Sequence, residues 1–180
     1  MDTLEKNKFK YVSNMLTNDI IEFLNSYCIK YFYVNKDPQA PLSFSVHSKN
    51  SEIFDHLLHY LLPRMESETK LKLKPMYAYT RVYLGGSELK KHLDREQCEV
   101  SASITLKYFY KDKDYIWPLC MGDLPVNIKP GDGVIYKGCE IEHWRPVFNQ
   151  PEGYWHHQVF LHYVDLNGPN KNLQETVVNH

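Results

Sequence analysis

Residues 90–106 read KKHLDREQCEVSASITL, and this stretch places a candidate metal-binding pair just before a predicted strand. His92 and Asp94 are two residues apart, and small and apolar residues alternate after Cys98. In an extended segment, residues i and i+2 point to the same face, so both side chains can reach one ion. Because an H-x-D pair also arises by chance in a chain with nine histidines, its interpretation depends on the rest of the sequence.

From about residue 72 the hydrophobic period changes to two, and turn-forming residues become frequent. The turns GGS, KDKD, KPGDG and NQPEG separate short segments of alternating character. The predicted strands are YAYTRVYL (77–84), CEVSASITLKYFY (98–110), PVNIK (125–129), GVIYKG (133–138), EHWRPVF (142–148) and WHHQVFLHYVD (155–165). The basic stretch KLKLKP (70–75) alternates Lys with Leu, which predicts the solvated face of a strand rather than a binding patch.

The first third of the chain has helical periodicity instead. One helix is predicted to begin at the cap region Thr17-Asn18-Asp19 and to end before Asp37-Pro38. A second covers KNSEIFDHLLHYLLPRM (49–65), with Asn50 or Ser51 as its cap and an apolar stripe facing a sheet. Helices followed by six or more short strands indicate an α+β chain, mostly β, with a β-sandwich or jelly-roll core.

We interpret the whole chain as one domain. Helical support covers about residues 1–70, the β core about 72–166, and a polar tail 167–180.

Composition excludes several classes of partner. A net charge of −1 gives no electrostatic basis for nucleic-acid binding, and no apolar run is long enough to span a bilayer. The N-terminus lacks the apolar region of a signal peptide, which predicts a cytoplasmic protein. Four cysteines without C-x-x-C spacing indicate neither a zinc site nor a disulfide framework, and they are expected to be reduced thiols.

His143 is available as a third ligand, after the turn KPGDG and the strand GVIYKG. Two imidazoles and one carboxylate on one face of an octahedron form the site of non-heme Fe(II) oxygenases. Such a site leaves positions open for a bidentate co-substrate and O₂, so three protein ligands are sufficient.

About half of the chain, residues 77–165, resembles the catalytic core of the Fe(II)/2-oxoglutarate-dependent oxygenases, in particular their prolyl 4-hydroxylase-like branch. The resemblance rests on the order of RVYLGGSELKKHLD, EVSASITL, KPGDGVIY, EHWRPV and QVFLHYVD, and on the 49 residues between Asp94 and His143. It implies a double-stranded β-helix, a cupin-like jelly-roll variant, with His92, Asp94 and His143 as iron ligands. By the same resemblance, Tyr83 would hydrogen-bond the 2-oxoglutarate carboxylate.

The sequence departs from the family pattern on its last strand. The family usually places an Arg or Lys there, some ten residues after the distal His, to pair with the second carboxylate of 2-oxoglutarate. A buried carboxylate needs such a partner, but this region reads NQPEGYWHHQVFLHY. We favour Arg145 as the substitute, since its planar fork suits a carboxylate, with Lys107, His156 and Gln158 as further candidates.

The resemblance implies hydroxylation of an unactivated C–H of a peptidyl or free amino acid, prolyl before others, with release of succinate and CO₂. Fe(II), 2-oxoglutarate, O₂ and ascorbate are the implied cofactors and co-substrates. Substrate is expected to approach over loops 85–91 and 110–124, where Tyr115 and Trp117 form either an aromatic wall or a hairpin with one buried Trp.

Three alternatives remain open. The first is that the protein is a catalytically silent binding module of the same fold. The second is that it is a cupin-type metal enzyme that does not use 2-oxoglutarate. The third is a three-histidine metal site of His92 with the C-terminal cluster, in which His156 and His162 share one strand face and His157 takes the other.

Overall fold

The computed structural model describes residues 3–31, 43–47 and 52–174. The helices are α1 (Thr3–Asn7), α2 (Asn18–Tyr31) and α3 (Glu52–Thr69), and one 3-10 turn covers Glu96–Cys98. The strands are β1 (Phe9–Val12), β2 (Ser43–His47), β3 (Leu73–Leu84), β4 (Leu89–His92), β5 (Val100–Phe109), β6 (Leu119–Met121), β7 (Leu124–Val126), β8 (Gly133–Tyr136), β9 (His143–Arg145) and β10 (Trp155–Asp165).

Both predicted helices form. α2 begins within the predicted cap region, whereas its predicted end at Asp37-Pro38 lies outside the described residues, as does the predicted Asn50 or Ser51 cap of α3. α3 continues through Pro63 to Thr69, beyond the predicted end at residue 65. Its buried stripe holds it to the sheet along its whole length; the stripe comprises Phe54, Leu57, Leu58, Leu61, Met65 and Thr69.

The prediction of a strand face for residues 70–75 is only partly right. Lys70 has a positive φ of 62°, and its N–H bonds to the carbonyl of Glu66, which closes the C-terminus of α3. β3 therefore begins only at Leu73. Local capping of the helix takes precedence over the alternation of Lys and Leu at residues 70–72.

The strands form two antiparallel sheets. The larger sheet has the order β1-β8-β5-β10-β3-β2, and the smaller one has the order β4-β9-β6-β7. Sequence reasoning missed the short strands β1, β2, β4 and β6, and it placed a strand at 125–129 where β7 ends at Val126. Strands of three to five residues carry too little alternation to be recognised by period alone.

Each face of the larger sheet packs against a different layer. Toward α2 and α3, one core includes Ala78, Val159, Leu161 and Tyr163 from the central strands. On the other face, Val134 and Tyr136 of β8 pack with Leu119 and Met121 of β6, so this core lies between the two sheets. A third cluster, of Tyr83, Trp117, Phe148 and Phe160, continues this inner core toward the start of β10.

The PGD turn fastens the N-terminal segment to the sheets. The N–H groups of Met15 and Leu16 donate to the carbonyl of Gly131, which has a φ of 84°. The carboxylate of Asp132 accepts from the backbone N–H of Asn14 and from the hydroxyl of Tyr11. A side chain at position 131 would meet the Leu16 carbonyl at 2.9 Å, so both the conformation and the contact require glycine.

None of the helices within the described ranges combines the length and apolar character needed to cross a bilayer. The cysteines Cys28, Cys98, Cys120 and Cys139 are all free, as predicted.

Candidate active site

The pairing of β4 with β9 brings the two predicted histidine ligands together. His92 ends β4 and lies directly opposite His143, the first residue of β9, with ring centroids 4.3 Å apart. Asp94 follows two residues later, and its N–H donates to the Gly138 carbonyl at 2.9 Å. The ligand atoms of these three side chains all lie within 4.8 Å of one another. A separation of 49 residues in sequence is thus closed by one strand pair.

Hydrogen bonds define which ring nitrogens face the carboxylate. His92 Nδ1 lies 2.7 Å from the carbonyl of Lys90, and His143 Nδ1 lies 3.1 Å from the carbonyl of Ile141. Because a carbonyl only accepts, each Nδ1 carries the proton and donates. Each Nε2 then points toward Asp94 Oδ1, at 3.6 Å from His92 and 3.5 Å from His143. Nε2 atoms oriented by such backbone bonds are typical of histidines that bind metals.

The charges of the three groups are coupled. Burial by itself would raise the pKa of Asp94, but the imidazoles of His143 and His92 hold it well below its ordinary value. The same contact with Asp94 raises the pKa of His92. The second carboxylate oxygen, Oδ2, is buried and has no hydrogen-bond partner within the described part of the chain. An ionised carboxylate with an unused buried oxygen is suited to binding a cation.

Gly138 allows the close approach of the carboxylate. A Cβ atom at this position would lie 2.4 Å from Asp94 Oδ2 and 2.4 Å from the carbonyl oxygen of Cys98. Any side chain would therefore displace Asp94 or the turn at Glu96–Cys98. The pattern GVIYKG contains this glycine, although sequence reasoning assigned it no role.

Arg145 lies deeper between the sheets, two residues after His143. It is only 2% exposed, and its guanidinium carbon is 4.5 Å from the centre of the Trp117 ring. Nη1 donates to the Trp117 carbonyl at 2.8 Å and Nη2 to Gln158 Oε1, while Nε has no partner among residues 3–31, 43–47 and 52–174. Burial lowers the pKa of Arg145 to about 10, so the group stays charged at neutral pH.

No carboxylate of the described residues forms an ion pair with Arg145. A buried charge without a counterion is costly, so a carboxylate supplied by a ligand would be strongly favoured here. The hydroxyl of Tyr83, a residue that also packs on Trp117, is buried without a partner in the same part of the described structure.

Gln158 and His156 complete the surroundings of Arg145. The Gln158 side chain accepts from Arg145 through Oε1 and donates to Ser103 at 2.6 Å through Nε2. His156 lies 3.2 Å from the same Oε1 and 2.6 Å from the hydroxyl of Tyr110. Burial and the neighbouring Arg145 keep the pKa of His156 well below its ordinary value. His156 is therefore neutral and does not supply a cation.

Two sequence-based candidates lie elsewhere. Lys107 is on the outer surface, where its ammonium pairs with Glu22 of α2 at 2.7 Å, so it cannot anchor a buried co-substrate. Trp117 is buried and donates to the Pro146 carbonyl at 2.8 Å, which fits the prediction of one buried Trp rather than an entrance wall. Tyr115 is partly exposed, and its hydroxyl accepts from the N–H of Asn149.

The structure groups His162 with Asp94 and Cys98, not with His92 and His156. His162 Nδ1 lies 2.8 Å from the Ser101 hydroxyl, and Cys98 Sγ lies 2.9 Å from the Tyr77 hydroxyl. Sequence reasoning missed Cys98 and Ser101 because neither forms a motif with His162. Within the described ranges, the three-histidine alternative has no geometric support.

Known structures share this architecture. Neither a protein-family model nor a curated protein sequence matches the chain. HygX from Streptomyces hygroscopicus, with nickel, 2-oxoglutarate and hygromycin B bound, aligns with a TM-score of 0.71 at 14% identity, over 91% of this chain and 85% of that one.

Two further structures have similar folds. The viral collagen prolyl hydroxylase vCPH from Paramecium bursaria Chlorella virus-1, as its 2-oxoglutarate complex, gives a TM-score of 0.66 at 10% identity, over 89% of this chain and 98% of that one. The non-heme alpha-ketoglutarate-dependent epimerase SnoN from nogalamycin biosynthesis gives 0.72 at 10% identity, over 98% and 89%.

The chain therefore has the double-stranded β-helix fold of the 2-oxoglutarate and Fe(II) oxygenases, which confirms the predicted fold class. At identities of 10–14% the likeness establishes the fold, and the chemistry has to be argued from the site itself.

Proposed function

We propose that the protein is an Fe(II)- and 2-oxoglutarate-dependent dioxygenase. The observation that carries this proposal is the orientation of the three side chains: both imidazoles present Nε2 to the same oxygen of Asp94. His92, Asp94 and His143 supply two nitrogens and one carboxylate, the ligand set of non-heme Fe(II) oxygenases. With a ferrous ion held by these residues, O₂ would be the oxidant: one of its oxygen atoms would enter succinate as 2-oxoglutarate loses CO₂, and the other would enter a C–H bond of the substrate. Ascorbate would be an accessory reductant.

The surroundings of Arg145 support 2-oxoglutarate as the co-substrate. Its buried and uncompensated guanidinium would pair with the carboxylate remote from the metal, and the free hydroxyl of Tyr83 would donate to the same ligand. Gln158 and the Trp117 carbonyl hold the guanidinium in place before the ligand arrives. In this arrangement a cation on β9 takes the role that the family usually gives to the last strand.

For the substrate we propose an unactivated C–H of a peptidyl or free amino acid, with prolyl as the first candidate. Tyr77 and Tyr79 lie on one face of β3, with their rings 6.3 Å apart and nearly parallel, and their side chains are half-buried. Tyr79 also stacks on Phe160 at 4.7 Å and Tyr77 lies 4.4 Å from the ring of His162, so these side chains form an aromatic lining. A lining of this kind suits an apolar ring such as that of proline. The prolyl hydroxylase vCPH has the same fold, but so do HygX and the epimerase SnoN, so this choice needs its own test.

The decisive experiment is an anaerobic titration of the purified protein with Fe(II) and 2-oxoglutarate. Chelation of the keto acid at open positions of a ferrous site should produce a charge-transfer band near ~500 nm. His92→Ala and Asp94→Ala should abolish this band without loss of secondary structure. His56→Ala, at an exposed histidine of α3, is the matched control and should leave the band unchanged.

Each rival function has its own outcome. A protein that binds metal but shows no band with 2-oxoglutarate would be a cupin-type enzyme that uses another co-substrate. A band without any succinate formation in air would indicate a silent binding module. A full band in both His92→Ala and Asp94→Ala would refute the assigned ligands.

A further inference from the structure

We propose that Asp94, Cys98 and His162 form a second metal site, for a thiophilic divalent cation such as Zn²⁺, which shares Asp94 with the site described above. This site is additional to the proposed oxygenase activity and does not depend on it. It is formed by residues from two different elements: the segment that follows β4 and strand β10.

The geometry meets the requirements of a metal site. One ligand atom each of Asp94, Cys98 and His162 lies within 4.8 Å of the other two. Cys98 is 2% exposed and His162 is 3% exposed, so an ion bound there would be shielded from water. Three protein ligands leave the fourth position of a tetrahedral zinc ion to a small ligand such as a trapped water molecule.

The hydrogen bonds of Ser101 prepare His162 as a ligand. The Ser101 hydroxyl donates its single proton to the Cys98 carbonyl at 3.1 Å, so toward His162 Nδ1, at 2.8 Å, it acts as the acceptor. Nδ1 therefore carries the proton of the imidazole, and Nε2 keeps a lone pair. This Nε2 is buried and has no hydrogen-bond partner in the structure as described. A buried acceptor without a donor is uncommon, and a metal ion would satisfy it.

Asp94 can serve both sites because its two oxygens are used differently. Oδ1 faces the Nε2 atoms of His92 and His143, whereas Oδ2 is buried and without a partner in the described ranges. A carboxylate in this position can bridge two ions or belong to either one. Zn²⁺ that draws the carboxylate toward Cys98 would weaken metal binding by His92 and His143.

The donor set determines the class of ion. Sulfur, nitrogen and oxygen together favour a thiophilic cation such as Zn²⁺, whereas the two nitrogens and one carboxylate of the first set suit Fe(II). The ion would replace the proton of the Cys98 thiol, which is released to solvent, and no electron is transferred. The Tyr77 hydroxyl, at 2.9 Å from Sγ, can donate to the resulting thiolate, and Arg95, which packs on the Tyr77 ring at 4.8 Å, adds a positive charge nearby.

Cobalt is the probe that separates the two sites, because Co²⁺ occupies zinc sites and a thiolate ligand gives it a near-ultraviolet charge-transfer absorption. Titration of the full chain with Co²⁺ should produce this absorption and should bind two equivalents of metal. In Cys98→Ser the absorption should disappear and one equivalent should remain. His162→Gln should weaken the thiolate-linked binding by at least about tenfold while the thiol is retained.

Two matched variants serve as controls. Cys139→Ser removes the other thiol near Asp94, at the surface, and should keep the absorption. His92→Ala removes a ligand of the first set only and should also keep it, although it abolishes the band with Fe(II) and 2-oxoglutarate.

The site is refuted if wild-type protein shows no thiolate absorption, or if the absorption survives in Cys98→Ser. Loss of the iron and 2-oxoglutarate band with retention of the cobalt–thiolate absorption would refute the oxygenase proposal alone. If Cys98→Ser does not fold, the affinity change in His162→Gln decides the question.

Discussion

The two faces of the large sheet differ in whether their buried polar groups have hydrogen-bond partners. On the face toward the helices, His157 bonds to Asn25 of α2 and, at 2.7 Å, to Thr80 of β3. Tyr163 on the same side donates to the Leu58 carbonyl of α3 at 2.8 Å. On the face toward the small sheet, several polar atoms have no partner among the described residues; they are Tyr83 Oη, Asp94 Oδ2, Thr105 Oγ1, Arg145 Nε and His162 Nε2.

One unpartnered atom lies on the helix side, Asn25 Nδ2. Rotating this amide by 180° exchanges its oxygen and nitrogen and lets Nδ2 donate to His157 Nδ1. Among the described residues, five of the six unpartnered polar atoms therefore lie on the inner face. Since a buried polar atom without a partner costs about 1–3 kcal/mol, the inner face is less stable than it need be for folding alone. Such groups are expected where a ligand completes the structure.

Substitution of Arg145 should have the largest effect of the changes that test this difference between the two faces. Arg145→Met should weaken 2-oxoglutarate binding by about 100-fold, because it removes charge-assisted hydrogen bonds to the ligand. The free energy of unfolding without ligand should not fall, and a gain of up to about 4 kcal/mol is expected, since an uncompensated buried charge is removed. Spectral titration and urea denaturation measure the two quantities.

Arg64→Met is the matched control for this variant, because Arg64 is a partly exposed arginine of α3 that pairs with Glu68. It should leave 2-oxoglutarate binding unchanged. If Arg145→Met binds the co-substrate as well as wild type does, Arg145 is not its anchor.

Gly138→Ala tests whether the position of the Asp94 carboxylate determines metal affinity. The added Cβ would displace Asp94 Oδ2, and we expect Fe(II) affinity to fall by about 10- to 100-fold. Gly153→Ala is the control, since its Cβ would meet no atom within 4 Å although its φ of 90° is unfavourable for alanine. It should lower stability without a change in metal affinity. Equal metal affinity in the two variants would show that Gly138 is not needed to position the Asp94 carboxylate.

His157→Leu tests the sheet face toward the helices, where the buried polar groups are hydrogen-bonded. The substitution leaves Asn25 and Thr80 without their shared partner, so the free energy of unfolding should fall by about 1–3 kcal/mol. Binding of 2-oxoglutarate to the folded protein should not change, because His157 points away from Arg145. Denaturation and spectral titration of the same preparation would check both, and weakened binding would contradict the separation of the two faces.

The last prediction concerns the pH dependence of stability. Burial lowers the pKa of His157 to about 3, against about 6.5 in the unfolded chain. The contribution of neutral His157 is complete above pH ~6.5, and it is lost as pH falls toward the folded value, because only the unfolded state binds the proton. This one group should lower stability by about 1.4 kcal/mol per pH unit within that window. Denaturation at pH 7 and pH 5 should show a smaller difference in His157→Gln, and an unchanged difference would exclude this histidine as a cause.

Much of the fold could be predicted because its central strands are long and are separated by turn-forming residues. β3, β5 and β10 were found within a few residues of their ends, since each is a long segment rich in apolar and aromatic residues. The helices were found from their apolar stripes. Short edge strands such as β1 and β4 were missed, because their positions depend on pairing with β8 and β9 rather than on their own pattern.

For the site, the sequence by itself determined which chemistry was available. The H-x-D pair, the PGD turn and a distal His in this order predicted three side chains that the strand pair of β4 and β9 brings together, although their role as ligands stays a prediction. Local spacing could indicate this because neighbouring positions in an extended segment share a face.

Only the tertiary structure decided which positively charged side chain is buried between the two sheets. Arg145 and Lys107 were both plausible anchors, and the packing of Trp117 and Gln158 buries the first while Glu22 holds the second at the surface. The closeness of Cys98 and His162 to Asp94 was likewise invisible in the sequence. Periodicity gives the face of a strand, but what that face meets depends on segments far away in the chain, and burial and electrostatic pairing arise only when those segments pack.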